Sequence, residues 1–271
     1  MAVAVLRADG TGDGEVELPR VFETPVRGEL IARAYTIMNT RHFQPKGTHP
    51  TAGMDVVART ANPPTGQGQS RIARIRTSGG RRQGEAAGVA SVRGGRQAHP
   101  PKAERVIHKR INRKERRLAL CSAIAATADR SLVASRGHRV PEGAALPLVV
   151  SDDVEATSTA KGVRALLGAL GLYSDVERLL SRARRSGKPA LRGRTKKVGK
   201  SVLFVTGGDP GTLSRACGAV PGVEVRRARD LSVLDLAPGA SPSRLTVYTR
   251  AAISEIASIP TPHLEAMGAP Q

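Results

Sequence analysis

Residues 46–104 form a long central segment whose composition excludes a hydrophobic core of its own. The segment holds ten Gly and five Pro and has almost no large apolar side chains. A connection of this kind cannot bury enough apolar surface to offset the conformational entropy lost when it becomes ordered. Structureless connections longer than ~15 residues are uncommon inside compact domains and are usually functional. The segment therefore predicts a long extended loop, which we call the basic arm, inserted into a folded body.

The arm is also strongly basic, with ten Lys or Arg against three acids. Over the whole chain, 43 Lys and Arg face 23 Asp and Glu, which gives a formal net charge of +20. A compact domain with this charge repels itself unless a polyanion screens it. Nucleic acid is the polyanion that fits best, because each phosphate that a protein neutralises also releases condensed counterions.

Arginine alternates with glycine in the arm, in the runs RIARIRTSGGRR (71–82) and VRGGRQAHPPK (92–102). Glycine lets the backbone approach phosphates closely, and the planar guanidinium pairs with two phosphate oxygens at once. The alternative interpretation is a solvated linker, which has no need for nine cations between residues 59 and 102. We predict RNA contacts for the following arm residues: Arg71, Arg74, Arg76, Arg81, Arg82, Arg93, Arg96, His99 and Lys102.

Two further basic clusters lie outside the arm. Residues 178–200 carry ten Lys or Arg and no acid. A solvated helix face would carry compensating acids at i±4 spacing, so this composition favours a loop that contacts RNA. The second cluster, residues 105–117, leads into a predicted helix. From these clusters we predict RNA contacts for Lys109, Arg110, Arg113, Arg184, Arg185, Lys188, Arg192, Arg194, Lys196 and Lys197.

Aromatic residues are too few for a base-stacking surface, with three Tyr, three Phe and no Trp. Modules that bind single-stranded RNA depend on such stacking. The sequence therefore predicts recognition of folded RNA by its shape and its phosphates.

Outside the arm, strand-like and helix-like patterns alternate. The strand-like segments include AVAVLR (2–7), ALPLVVSDD (145–153), VEVRRA (223–228) and RLTVYT (244–249). This alternation predicts a single α/β body, residues 1–45 and 105–271, with a mostly parallel sheet covered on both faces. Two helix starts are predicted from capping signals: Thr24 before Pro25, and Asn112 with Glu115 three residues later.

Two features could indicate catalysis. The Gly-rich turn TGGDPGT (206–212) lies between a strand and a helix, where a nucleotide phosphate or a methyl donor binds in other proteins. It matches neither G-x-G-x-x-G nor a Walker loop, and capping of a helix by Asp209 and Pro210 is the favoured interpretation. Asp152 and Asp153 end a strand, and we expect them to cap the next helix. The alternative function is an RNA-modifying, methyltransferase-like enzyme that uses residues 206–210, and a third is a nucleic-acid chaperone.

The remaining residue types give no sign of a metal, a cofactor or a membrane. The two cysteines, Cys121 and Cys217, and the six His have no metal-ligand spacing. The apolar setting of both cysteines predicts buried thiols in a reducing compartment. The first residues do not resemble a signal peptide, and no apolar stretch approaches the ~20 residues of a membrane helix. We expect a cytoplasmic protein with no catalytic residues, no cofactor and no membrane partner.

The sequence resembles the large-subunit ribosomal protein L-four (L4) family in its archaeal and eukaryotic form. The matching segments span nearly the whole chain in the right order. They are VFETPVRGELIARA (21–34), RGGRQAHPPK (93–102), NRKERRLALCSAIAATAD (112–129), LVVSDD (148–153), SVLFVTGG (201–208) and LAPGASPSRLTVYT (236–249).

The resemblance implies a structural constituent of the large ribosomal subunit that supports its assembly. It implies a Rossmann-like, three-layer body, and a loop at about 46–104 that runs through ribosomal RNA to the wall of the peptide exit tunnel. The implied partners are large-subunit ribosomal RNA, neighbouring large-subunit proteins and the nascent peptide near the loop tip. One departure concerns residues 60–76, which contain no aromatic residue and have Gln69 where the family commonly has Arg.

Overall fold

The described residues of the chain form two compact units. The first, which we call the body, comprises the residues up to Asn39 and from Arg110 onward. The second, which we call the insert, comprises Thr40–Lys109 and so extends the predicted arm by a few residues at each end. The computed structural model describes residues 2–56, 58–59, 66–68, 70–76, 80–141 and 143–261.

The elements are numbered here in chain order. The strands are β1 (Ala2–Leu6), β2 (Gly12–Glu17), β3 (Ala58–Arg59), β4 (Arg74–Ile75), β5 (Leu148–Val150), β6 (Leu203–Thr206), β7 (Glu224–Arg227) and β8 (Thr246–Thr249). The helices are α1 (Gly28–Asn39), α2 (Arg113–Ala126), α3 (Arg130–Ser135), α4 (Ala160–Ala169), α5 (Tyr173–Leu180), α6 (Lys188–Leu191), α7 (Gly211–Cys217), α8 (Val233–Leu236) and α9 (Arg250–Ala257).

The body is built on a mostly parallel sheet. Within the described residues, six strands pair in the order β2-β1-β5-β8-β6-β7. All neighbouring pairs are parallel except β1 with β2, which pair antiparallel at the edge of the sheet. The predicted α/β class with a mostly parallel sheet is confirmed. Strand β2 is not predicted, because its Gly- and Asp-containing residues indicate a turn and only pairing with β1 makes them extended.

Apolar residues on both faces of the sheet are buried under helices. Along β6, Leu203 and Val205 belong to the core cluster that contains Ile31 of α1 and Ile253 of α9. The residue between them, Phe204, belongs to the opposite cluster with residues of α4, α5 and α7. Since side chains alternate between the faces of a strand, this continuous apolar run is what a doubly covered sheet requires.

Helix α1 begins three residues later than predicted. It starts at Gly28, four residues after Thr24, so the predicted cap at Thr24 is wrong. The Ser122 hydroxyl of α2 donates a hydrogen bond to the Pro25 carbonyl (2.6 Å) and accepts one from the Arg27 backbone N–H (2.9 Å). This contact between distant residues decides where α1 starts, which local capping signals do not show.

Helix α2 begins next to Asn112, as predicted, but without the predicted capping box. Asn112 occupies the N-cap position and makes no capping hydrogen bond with its side chain. Glu115 is instead paired with Arg33 of α1, at 2.9 Å between Oε1 and Nε. Because the two helices pack against each other, Glu115 forms an ion pair with Arg33 in place of the predicted capping bond to the backbone at Asn112.

Arg244 is a fully buried cation that joins the segments preceding three parallel strands. Its guanidinium donates to Glu224 Oε2 at 2.6 Å and to the backbone carbonyls of Ser201 (2.7 Å), Gly222 (3.0 Å) and Asp235 (3.3 Å). A buried charge is tolerated only when it is paired and its hydrogen-bonding capacity is satisfied. Arg244 meets both conditions, so it is a structural residue.

The insert contains little regular structure in its described part. Strands β3 and β4 pair over two residues each. The chain segments around Gly53 and Gly95 cross so closely that a Cβ at Gly53 would lie 2.5 Å from the Gly95 carbonyl carbon. Gly53 also has a φ of +81°, a conformation in which glycine is not strained. Close backbone crossings therefore help to hold together a unit that has few buried apolar residues.

None of the helices in the described parts of the chain is both long enough and apolar enough to cross a membrane.

Replacing Arg244 with Met should lower the free energy of unfolding by about 3–5 kcal/mol, because it removes one partner of a buried ion pair and leaves carbonyl groups without a donor. Urea denaturation followed by circular dichroism measures this change. The matched control is Arg226→Met, since Arg226 is half exposed in its pair with Asp235 and should contribute less than about 1 kcal/mol. Equal losses in the two variants would contradict the structural role of Arg244.

Candidate nucleic-acid interface

A basic loop, residues 181–200, connects α5 to the segment that leads into β6. Helix α6 lies within the loop and follows Gly187, which has a φ of 67°. The Arg185 backbone N–H donates to the Thr195 carbonyl at 2.8 Å, which draws the two sides of the loop together. The basic stretch predicted from the sequence therefore forms a lobe with its own backbone hydrogen bonds.

Most cations of this loop are exposed and lack carboxylate partners, whereas Lys200 at its end pairs with Glu224. Arg185 is half-buried, and the other predicted RNA-binding residues of the loop are exposed. Within the described residues, none of them forms a salt bridge; they are Arg184, Arg185, Lys188, Arg192, Arg194, Lys196 and Lys197. Such a concentration of like charge creates a strong local positive potential that attracts a polyanion.

Asp175 lies completely buried at the root of this loop. Its Oδ2 accepts hydrogen bonds from the Ser201 hydroxyl (2.6 Å) and His138 Nδ1 (3.1 Å). Its Oδ1 accepts from Arg178 Nε (2.8 Å) and from the Arg139 backbone N–H (3.0 Å). Burial alone would raise the pKa of the Asp175 carboxyl, but the hydrogen bonds from His138, Arg178 and Ser201 outweigh it and hold the pKa below its ordinary value.

In the insert, some predicted RNA-binding residues hold the unit together. Arg74 donates to the Gly84 carbonyl at 2.9 Å. Arg82 donates to Glu85 (2.9 Å) and to the Arg93 carbonyl (3.0 Å). Arg93 Nη2 also lies 4.0 Å from Glu85, and the hydrogen bond from Arg82 lowers the pKa of the Glu85 carboxyl.

The other predicted residues of the insert lie on its surface. Arg76 is exposed, and so is Lys109, which belongs to the basic cluster at residues 105–117. Five more are exposed and make no ion pair within the described part of the chain: Arg71, Arg81, Arg96, His99 and Lys102. These residues, together with Arg76, Arg93 and Lys109, are the predicted residues of the insert that the structure presents to solvent.

Cations also crowd the start of α2 in the body. Arg110 precedes the helix and Arg113 is its first residue, and both side chains are exposed. Lys114 and Arg116 lie in the same turn, whereas the only acid there, Glu115, is paired with Arg33. Cations at a helix N-terminus are unfavourable because the helix dipole is positive there. An external anion at this end would relieve that repulsion.

The Gly-rich turn after β6 is occupied by a carboxylate of the protein itself. Glu155 Oε1 accepts hydrogen bonds from the Gly207 N–H (3.0 Å) and the Thr249 hydroxyl (2.9 Å), and its Oε2 accepts from the Gly208 N–H (3.3 Å). These groups lie at the carboxyl ends of β6 and β8, the edge where ligands bind in many parallel sheets. The backbone donors that a phosphate would use are already bonded to Glu155.

The neighbouring acids act differently from the capping roles predicted for them. Helix α7 begins at Gly211 with Pro210 at its N-cap position, and no side chain caps it, so the predicted cap at Asp209 is wrong. Asp152 accepts a hydrogen bond from the Ala251 N–H at 2.8 Å. It therefore caps α9, which lies about a hundred residues further along the chain, and not the next helix.

The described residues contain no group of His, Cys, Asp or Glu side chains arranged to hold a metal ion. Cys121 and Cys217 are both buried, as predicted. Burial raises the pKa of the Cys217 thiol to about 12, so this thiol stays protonated at neutral pH.

Asp175, Ser201 and Glu155 are not among the site residues predicted from the sequence. Asp175 carries one usable signal, since it precedes the long acid-free basic stretch and stands three residues before Arg178, a spacing that pairs side chains on a helix. Ser201 and Glu155 carry no such signal, because their partners are brought to them by the packing of the sheet.

Comparisons with known proteins agree with the resemblance noted from the sequence. The profile of the Ribosomal protein L4/L1 family matches residues 16–259. A protein of Methanococcus aeolicus named large ribosomal subunit protein uL4 is 44% identical over 263 residues, covering 94% of this chain and 98% of the relative. Proteins of the same name from Halobacterium salinarum and Thermoplasma acidophilum are 41% and 40% identical over 258 residues each, with 95% of this chain covered and 99% and 98% of the relatives.

Replacing Glu155 with Ala should lower the free energy of unfolding by about 2–4 kcal/mol, because three donors at the sheet edge lose their acceptor. Thermal and urea denaturation measure the loss. The control is Glu177→Ala, an exposed acid on α5, which should change the stability by less than about 0.5 kcal/mol. If Glu155→Ala were as stable as the wild type, Glu155 would not be a structural substitute for a ligand at this turn.

Proposed function

Because the chain belongs to the Ribosomal protein L4/L1 family, we propose that it is a structural constituent of the large ribosomal subunit that binds large-subunit ribosomal RNA through phosphate contacts. The observation that carries this proposal is the set of cations from Arg184 to Lys197 in the basic loop, which have no carboxylate partner among the described residues. Each such cation can neutralise one phosphate and release its counterions. In the cell, this function places the protein in cytoplasmic ribosomes, next to other large-subunit proteins.

For the insert, we propose the role that the resemblance implies. Residues 46–104, the basic arm, act as an extended segment that passes between RNA helices and reaches the wall of the peptide exit tunnel, close to the nascent peptide. The scarcity of buried apolar residues in the insert supports this, because such a segment gains order by contact with a charged partner. The residues compared with the family near the loop tip include 60–65 and Gln69, which lie outside the described residues.

For the body, we propose a Rossmann-like three-layer domain that docks on folded RNA and performs no chemistry. The parallel order β1-β5-β8-β6-β7, with helices on both faces, supports this architecture. The alternative of an RNA-modifying enzyme is disfavoured, because Glu155 occupies the N–H groups of Gly207 and Gly208 that a cofactor phosphate or carboxylate would need.

Replacing Arg184, Arg185, Arg192 and Arg194 together with Gln should weaken binding to protein-free large-subunit ribosomal RNA. It should also reduce the slope of log K against log salt by about 3 to 4, since each lost phosphate contact contributes about 0.9. Filter binding at several KCl concentrations measures both quantities.

The matched control removes four arginines that already have carboxylate partners in the body: Arg7, Arg27, Arg226 and Arg229. This variant loses the same charge, and its salt slope should stay within about 1 of the wild-type value. Equal reductions in both variants would show that only the net charge matters and that the basic loop is not an RNA site.

Replacing residues 46–104 with a short Gly/Ser linker should leave the body folded and prevent normal incorporation into large subunits. The body should keep its cooperative unfolding because both core clusters consist of residues outside the arm. Circular dichroism melting tests the fold, and sucrose-gradient sedimentation of the tagged protein in cells tests incorporation. Loss of cooperative unfolding, or full incorporation of the shortened protein, would contradict the proposed division of roles.

A further inference from the structure

The two ends of the basic loop are joined through one buried carboxylate. Arg178 lies in the last turn of α5, just before the loop, and Ser201 follows the loop directly. Both donate to Asp175, at 2.8 Å from Arg178 Nε to Oδ1 and at 2.6 Å from the Ser201 hydroxyl to Oδ2. Arg178 Nη2 also lies 3.4 Å from the Lys200 carbonyl oxygen, to which it donates. The entry and exit of the loop are therefore held at one point.

Close backbone packing also holds the exit of the loop in place. A Cβ at Gly199 would lie 2.7 Å from Leu179 Cδ2, and a Cβ at Gly222 would lie 2.8 Å from the Gly199 carbonyl oxygen. The Ser201 N–H donates to the Gly222 carbonyl at 2.8 Å. The exit of the loop thus lies against α5 with no space for side chains between them.

The loop needs such a closure because its own charges oppose it. The exposed cations between Arg184 and Lys197 repel one another, and the described residues supply no acid among them. A loop with a free root would spread, and ordering it again would reduce the affinity for RNA.

We propose that Asp175 is a positioning residue for RNA binding: it never touches RNA, but it fixes the root of the basic loop so that the loop is already arranged for phosphate contacts. This inference rests on the proposed function, since it assumes that the basic loop binds ribosomal RNA.

The chemistry of the position requires a carboxylate. His138, Arg178, Ser201 and the Arg139 N–H are all donors, and they are shared between both oxygens of Asp175. Asparagine has one acceptor oxygen and one NH₂ group, so it loses the charge that pairs with Arg178, and with its oxygen at the Oδ1 position its NH₂ group would force the Ser201 hydroxyl and His138 to accept in place of donating. Asp175→Asn is therefore a strong disruption of the root, and a milder variant is needed beside it.

Ser201→Ala is the milder variant, because it releases the exit of the loop from Asp175 and leaves the carboxylate paired with Arg178 and His138. We expect its affinity for protein-free large-subunit ribosomal RNA to be about fivefold weaker, as when only a fifth of the molecules have a competent loop. The salt slope should equal that of the wild type, since the same cations bind once the loop is in place. Trypsin should cleave between Arg184 and Lys197 several-fold faster.

The matched control is Thr127→Val, which removes another buried hydroxyl. The Thr127 hydroxyl is hydrogen-bonded to the Tyr248 hydroxyl at 2.9 Å. Tyr248 belongs to one core cluster of the body, whereas Val176 of α5 belongs to the cluster on the opposite face of the sheet. This variant should lose similar stability, measured by urea denaturation, and keep wild-type RNA affinity and loop cleavage. Asp175→Asn, measured at a temperature where circular dichroism shows it folded, should lose at least as much affinity as Ser201→Ala, again without a change in slope.

The inference is overturned if Ser201→Ala and folded Asp175→Asn bind RNA with wild-type affinity, or if Thr127→Val weakens binding equally. A different result would show that the basic loop does not bind RNA at all: the variant lacking Arg184, Arg185, Arg192 and Arg194 would then keep the wild-type salt slope. If that variant loses slope while Ser201→Ala binds normally, the loop binds RNA but Asp175 does not position it.

Discussion

Uncompensated positive charge is the constraint on which the rest of this structure depends. The acids that the body buries or half-buries, among them Asp175, Glu155 and Glu224, bind donors inside the fold. The cations from Arg184 to Lys197 in the basic loop are therefore left without carboxylate partners in the described structure. A protein built in this way gains order and affinity from a polyphosphate partner, which is the physical basis of the proposed binding to ribosomal RNA.

The two units meet this constraint differently. The body has apolar clusters on both faces of a parallel sheet, which supply enough hydrophobic burial to stabilise a fold that presents the basic loop. The insert has few buried apolar residues, such as Ile75 and Ala87, and relies on glycine crossings and on hydrogen bonds from arginines such as Arg82. Arginine in the insert therefore has two uses, since some side chains hold the backbone and others remain exposed.

The Gly-rich turn illustrates how one sequence pattern can serve two chemistries. A strand followed by glycines and a helix provides backbone N–H groups that bind an anion. Here the anion is the Glu155 carboxylate, and the Thr249 hydroxyl completes its surroundings. The turn thus has the geometry of an anion site, while the occupant makes it a joint between three segments of the body.

The sequence by itself determined the α/β class and the composition of residues 46–104, which are basic and poor in large apolar side chains, because periodicity, composition and charge are local properties of the chain. It failed where partners come from afar: the start of α1 is set by Ser122, Asp152 caps α9, and Glu155 fills the turn at Gly207. Only the tertiary structure decided which arginines stay exposed and that Asp175 joins both ends of the basic loop. The physical reason is that hydrogen bonds and ion pairs depend on distances of a few ångströms, and packing sets those distances between residues far apart in sequence.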